Sequence, residues 1–188
     1  MSLIKKLKTG FIGLTALFVA ALALPASAES RAQNADVQRQ VADRLGEFKI
    51  TASQLYRQAD LLNSHRNSAL SWQTHASQLL ALKDHVNELG RSLSELEELK
   101  PQASDSQKLA MEHARPHLVA IAQSTTRAIE LLNENRGSIR FPEYLDATSD
   151  VYDHADTLHT KLDAILDFES SKTRLDALEL QPMSSAGS

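Results

Sequence analysis

The chain has 188 residues, no cysteine, a formal net charge of −4 and only 5% aromatic residues. That length suits one domain with a sizeable core, and disulfides are excluded. An acidic balance argues against nucleic acid and anionic lipid as partners, because both select basic patches. Few aromatics and only six glycines favour long helices over sheet.

The chain opens on a segment with its own logic. Met1 to Gly10 carries Lys5, Lys6 and Lys8 and no acid, Phe11 to Leu24 is an apolar run of 14 residues, and Pro25-Ala26-Ser27-Ala28 is a small-x-small sequence. Basic, apolar and small-residue regions in that order read as a secretory signal. Cleavage after Ala28 is expected to start the mature chain at Glu29, and losing three lysines takes the formal charge from −4 to about −7. The apolar run is short for a permanent span and no second one follows, so no stable membrane anchor is expected after cleavage. Without cysteine, a lipid cannot be attached at the cleavage site. The expected address is the periplasm or outside the cell.

Four segments then carry apolar residues at alternating three- and four-residue spacing, the signature of helices with one buried face. The first runs from Val41 through Leu45, Phe48, Ala52, Leu55 and Ala59 to Leu62. The second runs from Trp72 and His75 through Leu79, Leu82, Val86, Leu89 and Leu93 to Leu96. Met111, Ala114, Leu118, Ile121, Thr125, Ala128 and Leu132 form the third. The fourth takes Tyr144, Thr148, Val151, Ala155, Leu158, Leu162 and Ile165, continuing loosely through Phe168, Leu175 and Leu178. Punctuation agrees with this division. Polar residues 63–68 and 133–138 separate segments, Pro101 stops the second, Ser104 with Gln107 has capping-box spacing, and Pro142 suits a first helical turn.

Each helix is roughly 30 residues, or about 45 Å long. Short connections predict an all-α, antiparallel up-down-up-down four-helix bundle over residues 29–180, after a signal peptide at 1–28 and before a disordered tail at 181–188. With the first turn placed near His65, Ala42 falls opposite Gly90. Two small residues there predict the closest approach of the first two helices.

Histidines are the residues that invite chemistry. Folding the chain at its turns sets His85 level with Leu118, beside His117, and heptad position turns both imidazoles toward the interface of the second and third helices. His113 lies one turn before His117. His85, His117 and His113 are therefore the candidate ligands of zinc or another divalent transition metal. The competing reading is three solvent-edge histidines and no cofactor. Pro116, inside the third helix, is expected to kink it and open a pocket near these residues. His75 occupies a core position, where a buried imidazole needs a partner. Thr125, Thr148, Tyr56, Tyr144 and Tyr152 are within reach of its level, and a polar layer fixing register is the simpler reading.

Other constellations are missing. The chain has no Cys-x-x-Cys-His, no pair of Glu-x-x-His motifs (only Asp156-Thr157-Leu158-His159), no glycine-rich phosphate loop and no serine in a nucleophile elbow. The acids Glu95, Glu97 and Glu98, and the stripe Asp150, Asp153 and Asp156, read as solvated faces.

Trp72-Gln73-Thr74-His75-Ala76, His85-Val86-Asn87-Glu88-Leu89-Gly90, Leu131-Leu132-Asn133-Glu134-Asn135 and Pro142-Glu143-Tyr144 resemble strings in a group of exported helical-bundle proteins of bacteria with no known activity. The resemblance spans most of the chain after residue 28 and implies export and a bundle. It adds no catalytic or binding residue. The sequence thus points to a non-enzymatic exported bundle that binds an unknown protein or small ligand. The alternative is a metal- or small-ligand-binding bundle built on the interhelical histidines. A chaperone-like role would call for an exposed apolar or basic concave surface, which the sequence does not announce.

Overall fold

The computed structural model describes residues 26–65, 71–136 and 138–179. Residues 1–25 of the expected signal segment and the expected tail at 181–188 lie outside the described residues. Four helices account for nearly everything described: α1 (Ala26–His65), α2 (Trp72–Glu98), α3 (Asp105–Glu134) and α4 (Pro142–Glu179). A 3-10 turn at Lys100–Gln102 links α2 to α3. Among the described residues there is no strand, and no helix is long and apolar enough to cross a membrane.

α1 packs on α2 and α4, α3 packs on the same two, and the α3–α4 interface is the most extensive. The periodic seam is the core. All seven α1 seam residues from Val41 to Leu62 are buried, as are those of α2 from His75 to Leu96 and of α3 from Met111 to Leu132. On α4 burial ends at Leu162, and Ile165 is half-buried. Full burial of a Leu or Phe contributes roughly 1.5–3 kcal/mol, and a sum over this seam is what offsets the chain's ordering entropy.

Local chemistry sets the helix ends. Ser71 caps α2, its hydroxyl accepting from the Thr74 N–H. At α3 the capping box closes in both directions: the Gln107 N–H donates to Ser104 Oγ at 3.2 Å, and the Ser104 N–H donates to Gln107 Oε1 at 2.9 Å. That box also ties helices together. Ser104 Oγ donates to Glu169 Oε1 on α4 at 2.7 Å, and Gln107 Nε2 donates to the Gln38 carbonyl on α1 at 3.3 Å. At the opposite end, the Arg136 guanidinium lies 5.0 Å over the Trp72 ring. α3 continues as one helix past Pro116, which is exposed.

The register between α1 and α2 differs from the sequence expectation. Arg44 pairs with Glu95, where the fold-back at His65 put residue 87 opposite it. The reversal falls later, between His65 and Trp72, and this displaces the facing residues by about two turns. Gly90 accordingly does not meet Ala42. It is exposed and lines a groove between α2 and α3 with Leu93, Leu118 and Ala122, while Ala42 lines one between α1 and α4. Spacing gave the buried face correctly but assigned Gly90 to the wrong flank of it. A Cβ built at Gly90 meets nothing within 4 Å. Gly90→Ala is therefore expected to raise stability by about 0.5–1 kcal/mol through helix propensity alone. A urea-denaturation midpoint lower than wild type would show a close approach that the packing does not contain.

Candidate functional site

Among the described residues, three polar clusters of the bundle are each centred on an imidazole, and a further contact joins Gln78 Nε2 to His65 Nδ1 at 3.1 Å. The first is in the core. His75 on α2 is fully buried, and its Nδ1 lies 2.9 Å from the Tyr144 hydroxyl on α4, across the diagonal of the bundle. The rings meet edge to face at 5.7 Å. Burial lowers the pKa of His75, helped by the nearby His65, and burial pushes the Tyr144 phenol up. Both groups stay neutral at pH 7, so the hydrogen bond is between uncharged partners. Thr148, of the expected neighbours, satisfies itself by donating to the Leu145 carbonyl at 2.9 Å.

The second cluster joins α3 to α4. His117 Nδ1 is 3.3 Å from His154 Nδ1, the rings are 5.6 Å apart, and Lys161 Nζ stands 3.3 Å from His117 Nε2. The ammonium can only donate, so His117 Nε2 accepts and its proton sits on Nδ1. Nδ1–H then donates to His154. Burial lowers the His117 pKa first, with the charges of Lys161, His154 and His113 adding to it. This arrangement differs from the sequence reading. The flank of α3 that carries His117 turns to α4, and no hydrogen bond or ring contact joins His85 to His117 or His113 among the described residues. His113 acts on His117 only through its charge. Among the described residues no group of three or more His, Cys, Asp or Glu side chains is arranged to hold a metal ion.

The third cluster joins α1 to α4. His159 stacks on Tyr56 at 5.1 Å, its Nδ1 is 3.3 Å from Ser53 Oγ, and its Nε2 is 3.6 Å from Asp163. Asp163 and Asp167 together hold Lys49 at 3.1 Å each. Burial acts against that ammonium, but the two carboxylates outweigh it and raise its pKa. Serine, histidine and aspartate in sequence contact invite comparison with a hydrolytic triad, and the sequence reading did not find them. Two features of the site stand against that comparison. Ser53 already donates its hydroxyl proton to the Lys49 carbonyl at 2.9 Å, so His159 has no proton to take. Ser53 also lies mid-helix, where neighbouring N–H groups are spent on helix bonds and none can stabilise an oxyanion.

Two open grooves of about 660 Å³ accompany these clusters. The α2–α3 groove beside Pro116 is lined by Val86, Leu93, Leu118, Val119 and Ala122, with Arg91 and Arg115 at its rim. It lies where a pocket was expected, but His85, His113 and His117 do not line it. The α3–α4 groove is formed by Leu109, Ala164, Ile165 and Phe168 with Asp105 and Ser106. Eight large apolar side chains are exposed among the described residues. Four of them cluster at this second groove and just beyond it: Leu109 at 44%, Phe168 at 65%, Leu175 at 61% and Leu178 at 64%. No family model matches the chain, and no curated protein or solved structure does either.

Two imidazoles, buried His75 and half-buried His117, make stability depend on pH. His75 and His117 both have folded pKa values below the unfolded value near 6.5, so the unfolded chain takes up protons first as pH falls. Stability is fully present above about pH 6.5 and declines below it. Urea midpoints at pH 7.5 and 5.5 are expected to show a loss in wild type and a smaller loss in His117→Gln. Equal wild-type midpoints would remove the argument.

Proposed function

We propose that the chain is an exported, non-enzymatic helical bundle, folded up-down-up-down with antiparallel neighbours, that acts by binding a protein partner. The apolar cluster of Leu109, Phe168, Leu175 and Leu178 carries this reading, because an acidic bundle with no other use for four exposed large apolar side chains incurs a solubility cost by keeping them. The topology is supported by contacts that reach the late part of α4 from the head of α3 and from the middle of α1. Ser104 at the start of α3 holds Glu169 near the end of α4, and Lys49 in α1 holds Asp163 and Asp167 late in α4. Export to the periplasm or beyond is supported by the order of basic, apolar and small residues in the first 28 positions. A non-enzymatic role is supported by the Ser53–His159–Asp163 contact, whose hydroxyl proton is already committed.

A photoreactive phenylalanine analogue at Phe168, in cells that export the protein, is expected to give a crosslinked adduct. The same analogue at Leu80, exposed on α2 away from the cluster, is expected to give none. The mass of the recovered protein is expected to place its first residue at Glu29. No adduct at Phe168 would remove the cluster as an interaction surface.

A second reading, transition-metal binding, is favoured by one observation. The 3.3 Å between the Nδ1 atoms of His117 and His154 matches the separation of two ligands around a tetrahedral ion at roughly 2.0–2.1 Å. His154 then takes the place given to His85, with His113 one turn from His117. Lys161 opposes it, since its donation to Nε2 keeps a proton on the Nδ1 that would bind. On this reading zinc raises the wild-type Tm and leaves His154→Gln unchanged. An unchanged wild-type Tm would eliminate it.

A further inference from the structure

We draw no further inference here: the strongest candidate, the side-chain cluster of His113, His117, His154 and Lys161 at the interface of α3 and α4, belongs to the site already described, where the same imidazoles carry the metal reading.

Discussion

A seam made of Leu and Ala is permissive: one helix can slide past another by a heptad and bury nearly the same apolar area. What limits sliding here is the buried hydrogen bond between His75 and Tyr144. It crosses the diagonal from α2 to α4, so it positions two helices that share no flat interface, and through them the helices packed on either side. Moving either helix by a turn would bury an imidazole and a phenol with no partner, at a cost of about 1–3 kcal/mol for each group. The capping box at Ser104 performs the same task at the other end. Its Gln107 reaches Gln38 on α1 and its Ser104 reaches Glu169 on α4. Between these two polar anchors the apolar seam supplies stability without specifying register.

His117 and His159 sit at interfaces around that core, each with different partners. His117 meets a second histidine and a lysine, whereas His159 meets a tyrosine face, a serine and a carboxylate. Acid acts on the buried His75 in the core and, because a proton on His117 stands beside the Lys161 ammonium, on the α3–α4 interface. That interface is also the most extensive in the bundle and the one that borders the exposed apolar cluster.

α4 changes role along its length because its neighbours run out. α2 ends at Glu98 and α3 begins at Asp105, so beyond the level of Ser104 and Glu169 only α1 still runs alongside. Tyr144 to Leu162 face a full core. Phe168, Leu175 and Leu178 belong to a helix that still has an apolar pattern and no longer has enough protein around it to bury that pattern.

Residue spacing alone determined that the chain is helical, which face of each helix is buried, and several of the ends. The seam residues from Val41 to Leu162, the Ser104–Gln107 capping box and the start of α4 at Pro142 are all legible because they depend on local geometry, a 3.6-residue turn and a cap within one turn. The partner of each flank was not legible. A periodic pattern states which side of a helix is apolar, but not which neighbour stands to its left or right. The side of α3 carrying His117 thus met His154 instead of His85, and Gly90 opened on a groove instead of on α1. Nor does the pattern state where the chain reverses. A reversal falling after His65, rather than at it, displaced α2 along α1 and brought Arg44 to Glu95. Whether an apolar stripe ends up inside or outside is likewise decided by how far the neighbouring helices extend and which face they cover, which is why Phe168, Leu175 and Leu178 keep an apolar spacing and yet lie on the surface.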